Sequence, residues 1–226
     1  MLAEGVDRTP ARHAATLPDL VSRVLADAGE RPARGDAVAV AIGPGSFTGL
    51  RIALSFAKGL AFAAGLRIVG VPTLDAMALA APPWTGLLCV ALDARKQEIY
   101  AGIYAREEGR IVRLGSPVAA RARALATSLT PPCMLIGDAV EAYGSVFSEV
   151  LGTGVTLVSC EALSPRASAI GRLAAARLAR EPEGDDLATL APSYLRPPEA
   201  ELKQSARAPS APLDPGAFVD KVVLLY

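Results

Sequence analysis

The chain reads as an α/β protein of two lobes, and three observations carry that reading. Residues 36–42 (DAVAVAI) form a continuous small and β-branched run, the pattern of a buried strand. A glycine-rich break and a long apolar helical segment follow, and residues 67–71 (RIVGV) are a second run of the same kind. Strand, helix and strand in that order make a right-handed crossover between parallel strands. Beyond Gly86 the pattern changes: residues 87–92, 99–105 and 110–114 are strand-like runs joined by polar turns, as in an antiparallel meander.

In chain order, residues 1–10 are polar and lack the apolar region of a signal peptide. Thr9 and Pro10 open a helix through about Ala28, with Leu17, Leu20, Val21, Val24 and Leu25 on one face and Gly29 as its stop. Gly43-Pro44-Gly45 breaks the first strand, because glycine permits unusual φ and proline offers no N–H to a ladder. Ser46 or Thr48 then caps a helix. Along that helix Ile52, Phe56, Leu60 and Ala63 make the large apolar stripe. Ala53, Ala57, Ala61 and Ala64 make a small one, with Ser55 and Gly59 beside it. So smooth a helix lets another backbone come close on more than one side. Residues 72–81 restart a helix that Pro82-Pro83 ends, and Trp84 sits in the linker between lobes, where it is expected to pack against one of them.

The second lobe continues after its three strands with a helix over 118–129, a strand over 133–136 and a helix over 139–151. A strand over 155–159 and a helix over 164–180, with Ser164 as cap and Pro165 at its first position, complete it. Residues 181–186 are a loop. From Pro197 the chain is rich in Pro, Ala and Ser and is expected to be disordered, and the apolar residues 218–226 are assigned no role. The expected domains are therefore 1–83, 84–196 and a tail, 197–226.

Charge and composition exclude some functions. Of 226 residues, 23 are Lys or Arg and 23 Asp or Glu, so the net charge of +0 argues against a chain that grips nucleic acid alone. Alanine inflates the mean hydropathy of +0.33. The best membrane-span candidate, residues 52–71, is interrupted by Lys58, Gly59, Gly65 and Arg67, and is read as a buried helix plus strand rather than a membrane anchor. Cys89, Cys133 and Cys160 stand apart in apolar runs, as reduced core thiols of a cytoplasmic protein do. The single histidine, His13, has no second His or Cys at ligand spacing, so no metal site is expected.

Two side-chain groups invite a functional reading. The turn of Gly43, Pro44, Gly45, Ser46, Thr48 and Gly49 leads into a helix N-terminus, which favours anions. No Lys follows Gly49 as a phosphate-binding GxxxxGK[ST] loop demands, so a plain strand-to-helix connection competes with the anion site. Asp93, in the turn after the first meander strand, could be a catalytic carboxylate or could close the turn on its own backbone, the commoner use of a turn Asp.

The string GPGSFTGLR, residues 43–51, followed by an Ala-rich helix containing AKGLA, resembles the TsaB (YeaZ) family. So do ARHAATLPDLVSRVLADAG (11–29), ALDAR (91–95) with the Tyr-bearing strand after it, and LAPSYLR (190–196). Gly137-Asp138 is similar to the family's Gly-Asp-Gly turn, with Ala139 in place of its last glycine. The resemblance spans roughly residues 12–196. It implies a two-lobe fold of the actin-like ATPase type. Its members open with a strand ending in Asp-Thr-Ser and a hairpin, which has no counterpart here; about 25–35 residues are expected to be missing by usual strand and turn lengths. The first lobe is thus expected to be incomplete at its N-terminus.

The same resemblance implies a function. Family members support the transfer of threonylcarbamoyl to N6 of adenosine 37 in tRNA, as a non-catalytic partner of a metal-bearing catalytic paralogue (TsaD-like), with a small ATPase (TsaE-like). Catalytic, cofactor-binding and metal residues are therefore expected to be none, and tRNA is met only through the complex. Arg166, Arg172, Arg177 and Arg180 are read as a solvated face, with a tRNA-facing patch as the alternative. The docking surface is expected on the first two helices: Leu17, Leu20, Val21, Val24, Leu50, Ala53, Leu54, Ala57, Lys58 and Ala61, beside the motif turn with its Arg51. A homodimer through the same face is the fallback. The rival reading is an actin-like phosphotransferase or glycopeptidase-like hydrolase using Asp93 and the turn at 45–48.

Overall fold

The computed structural model describes residues 1–7, 13–159, 166–195 and 222–225. The chain divides into two compact units, Met1–Ala76 with Pro165–Ser193, and Met77–Ser164 with Tyr194–Leu225. The expected boundary at 83/84 therefore falls inside the second unit. The chain passes from one unit to the other within a short helix, and the segment from 165 to 193 returns to the first.

The first unit holds helix α1 (His13–Asp27), strand β1 (Ala37–Gly43), helix α2 (Phe47–Ala64) and strand β2 (Arg67–Pro72). The crossover is parallel as expected, with Val38 opposite Ile68 and Val40 opposite Gly70. Ser46 accepts a hydrogen bond from the Gly49 amide at 3.3 Å and caps α2, and Gly65 ends it at φ +66. Helix α3 (Thr73–Ala80) carries the chain onward. Helix α6 (Ala167–Leu178), which follows the second unit's elements in sequence, returns to β1 and β2. Val40, Leu54, Ala57, Ala61 and Ile68 form one core cluster, and Leu187 and Leu190 of the segment after α6 pack on it.

In the second unit the sheet is built from β3 (Leu87–Arg95), β4 (Glu98–Glu107), β5 (Arg110–Arg121), β6 (Cys133–Ile136), β7 (Val155–Val158) and β8 (Val222–Leu225). Their order is β7-β6-β3-β4-β5-β8. The expected meander is β3-β4-β5, and β6 and β7 add in parallel beside β3. Helices α4 (Ala122–Ser128) and α5 (Ala139–Leu151) cover a core that includes Cys89, Ile99, Leu125, Leu135 and Phe147. Arg106 lies over the Trp84 ring at 4.4 Å, so Trp84 packs within this unit.

Two expectations are corrected here. The helix expected over 118–129 begins only at Ala122, because Val118, Ala119 and Ala120 pair with Ala101, Tyr100 and Ile99 of β4. A sheet ladder overrides the helical leaning of an Ala/Arg-rich run. The tail is not featureless either: Val222–Leu225 lies antiparallel on β5, Val223 opposite Arg113. The helix cap Ser164, Cys160 and the rest of the tail lie outside the described residues.

Candidate functional site

The motif turn is built by close backbone approach. Gly43 has φ +111, and a Cβ there would stand 2.8 Å from the carbonyl oxygen of Ser193. Only glycine combines that conformation with that contact. The Gly43–Pro44 peptide is cis, Gly43 and Pro44 are buried, and Gly45, Ser46 and Thr48 are exposed. The Ser193 amide donates to the Ile42 carbonyl at 2.7 Å, just before the turn. Arg51 leaves the first helical turn to stack on Phe47, 4.0 Å from the ring centroid.

Helix α2 turns the smooth stripe inward. Leu50, Leu54, Ala57 and Ala61 are all under a tenth exposed, packed against β1 and β2. The small size of Ala57 and Ala61 serves close approach, as the spacing indicates, but the surface approached is the unit's own sheet. Lys58 donates to the Ala188 carbonyl at 3.2 Å. On α1, Leu17 and Val21 join Ala53, Phe56 and Leu60 around an apolar cavity of about 590 Å³ along β1. Leu20 and Val24 are covered by the N-terminal segment, since a Cβ on Gly5 would come within 2.9 Å of both. Of the ten expected docking residues, Leu50, Leu54, Ala57 and Ala61 are thus buried in the unit, and Leu17, Leu20, Val21, Val24, Ala53 and Lys58 are half-buried.

The outward face of α2 is a different set: Phe47, Arg51, Ser55, Gly59, Phe62 and Ala63 are exposed. Phe62 is 79% exposed and Phe47 45%. Around Gly59 nothing lies within 4 Å of where a Cβ would stand. A glycine inside a helix costs about 0.5–1 kcal/mol relative to alanine, and no contact within the described residues asks for one here.

In the second unit Asp93 closes its own turn. Its Oδ1 accepts from the Arg95 amide at 2.8 Å and from the Tyr143 hydroxyl at 3.3 Å, while Arg95 Nη1 stands 3.7 Å from Oδ2. Burial, then the Asp93 charge and the hydrogen bond to it, push the Tyr143 phenol up. Asp138 Oδ1 in turn accepts from the Asp93 amide at 2.7 Å. Gly137, at φ +117, abuts the Ala91 carbonyl so closely that any Cβ would overlap it. The Gly-Asp turn thus seats the end of β3. Cys89 and Cys133 are free and buried, and burial pushes both thiols up. Among the described residues, no three His, Cys, Asp or Glu gather in a metal-binding group. Helix α2 is long and apolar enough to cross a membrane, by length and composition only.

A parallel strand–helix–strand crossover entered through a cis-proline glycine turn, followed in sequence by a mixed six-stranded unit, is an α/β arrangement of the actin-like ATPase type. The family model described as "TsaD: tRNA N6-adenosine threonylcarbamoyltransferase" matches residues 7–204, and the chain belongs to that family. Its relatives include TsaB (YeaZ) proteins. The tRNA threonylcarbamoyladenosine biosynthesis protein TsaB of Bacillus subtilis is 29% identical over 90% of this chain and 88% of its own length. The Escherichia coli protein of the same name is 39% identical over 45% of each chain. A solved structure with similarity to peptidase YEAZ, from Pseudomonas aeruginosa, superposes with a TM-score of 0.70 at 28% identity, covering 84% of this chain and 87% of that one.

Proposed function

We propose that this chain is a non-catalytic partner subunit in tRNA threonylcarbamoyladenosine biosynthesis, working in the cytoplasm. It docks on a metal-bearing, TsaD-like paralogue through its first two helices, alongside a TsaE-like ATPase, and meets tRNA only within that complex. The relatives' names support the pathway, and the single histidine of the chain leaves no His pair for a metal.

The observation that carries the docking reading is the outward face of α2. Two exposed phenylalanines flank Ser55 and Gly59, which leave a smooth gap between them. Such a face admits a partner helix at close range, with aromatic anchors on either side. The test is co-purification of the chain with the paralogue, using Phe62→Asp on this face. Loss of the complex with the fold intact by circular dichroism supports the reading. Undiminished binding removes it. A homodimer through the same face would show instead as self-association abolished by the same substitution.

A further inference from the structure

The segment LAPSYLR belongs to a longer piece whose role the docking reading does not use. After α6, residues 181–193 lie across the open edge of β2 and reach the motif turn. At one end Asp185 completes the edge of the sheet: its amide donates to the Ile68 carbonyl at 2.8 Å, and its Oδ2 accepts from the Gly70 amide at 2.7 Å. Arg177 grips the same carboxylate with two hydrogen bonds of 2.7 and 2.9 Å. In the middle, the half-buried Leu187 and Leu190 pack against the core and the Ala188 carbonyl accepts from Lys58 of α2. At the far end the Ser193 amide donates to Ile42.

Three glycines mark where this segment touches the sheet. A Cβ on Gly184 would stand 2.6 Å from the Ile68 oxygen, one on Gly70 2.8 Å from Leu190, and one on Gly43 2.8 Å from the Ser193 oxygen. Each close approach is made only while its own stretch of the segment is seated. Most of the run is exposed, and segments with few buried apolar contacts open locally below the global unfolding free energy.

We propose that residues 181–193 form a strap that opens and closes as one piece, coupling the Arg177–Asp185 anchor on β2 to the motif turn that starts α2. Opening frees the edge of β2 and loosens the N-terminal end of the docking helix; this last consequence rests on the docking reading above. The strap is a positioning device and touches no partner.

Hydrogen exchange on the purified chain tests it, with Asp185→Asn removing the carboxylate charge and one of its acceptor oxygens at one end and Ser193→Pro removing the donor at the other. The expected result is that D185N speeds exchange in residues 187–193 and in the 43–50 turn by about tenfold or more, along with Gly70, and that S193P speeds Gly70. Acceleration confined to the end that was cut overturns the proposal. If D185N does not fold, the response of Gly70 in S193P decides alone; if neither folds, no separately opening strap exists and the proposal fails. Affinity for the paralogue should drop in the same variants. Unchanged affinity with coupled exchange leaves the strap and removes its link to docking, while the docking reading itself stands or falls on Phe62→Asp.

Discussion

Arg177 and Asp185 meet side on, Nη2 2.7 Å from Oδ1 and Nη1 2.9 Å from Oδ2, eight residues apart across the end of α6. The geometry is bidentate, and the same carboxylate also caps the Gly70 amide of β2. Arg177 Nε binds Glu181 as well, at 2.8 Å. One carboxylate therefore joins a helix, a strand edge and a loop.

That arrangement makes stability depend on acid. Burial by itself raises the Asp185 carboxyl, but the hydrogen bonds from Arg177 and Gly70 and the guanidinium charge outweigh it and hold it below its ordinary value. The folded state thus binds this proton more weakly than the unfolded chain. Its contribution is fully present above the unfolded value, about 3.9, and is lost as pH falls through the lower folded value. Asp185→Asn should lower stability at pH 7 by about 1–3 kcal/mol, the scale of charged hydrogen bonds, and flatten the decline below pH 4. Urea unfolding across pH 2.5–7 checks both. Parallel curves for the two proteins would exclude the assignment.

Ala57→Glu separates the core from the docking face. Ala57 is 3% exposed among Val40, Leu54, Ala61 and Ile68. A carboxylate there is desolvated with no partner, at a cost of several kcal/mol against a net stability of about 5–15. The expected outcome is loss of the cooperative thermal transition, not a folded protein that merely fails to bind.

Gly137→Ala should destabilise the second unit. The positive φ alone costs about 1–3 kcal/mol for a residue with a Cβ, before its overlap with the Ala91 carbonyl is relieved. A fall in the urea midpoint with an unchanged slope is expected. No change would mean that the turn can relax away from β3.

Much of this fold was legible in order of elements. The crossover followed from two β-branched runs flanking a capped helix, and the meander from alternating runs joined by polar turns. What failed was the direction of faces. Ala57 and Ala61 looked like a docking seam because small residues mark close approach, but spacing cannot tell a foreign helix from the chain's own sheet. The helix expected from Val118 failed for a similar reason: a twelve-residue strand extends the ladder past the point where local propensity turns. The role of Asp185 was hidden, since its partners Gly70 and Ile68 lie more than a hundred residues away. Asp93 was readable in its modest form, as a turn residue bonding its own backbone.

Gly59 and Phe62 offer the decisive pair of substitutions for the docking face. Both are exposed, and the space around Gly59 is open. Gly59→Ala should therefore stabilise the isolated chain by about 0.5–1 kcal/mol, since it gains helix propensity and meets nothing. Gly59→Arg should also leave the isolated fold intact. If a partner backbone crosses here, however, the arginine side chain stands in its path and affinity should fall by at least about tenfold. Phe62→Asp should weaken binding further, because it replaces an apolar anchor with a charge that docking would desolvate. Thermal unfolding gives the first quantity and titration of the paralogue the other two. A folded G59R that binds the paralogue like the parent chain would place the interface elsewhere. The combination expected of a glycine kept for a partner is opposite in sign: a more stable monomer with alanine, a weaker complex with arginine.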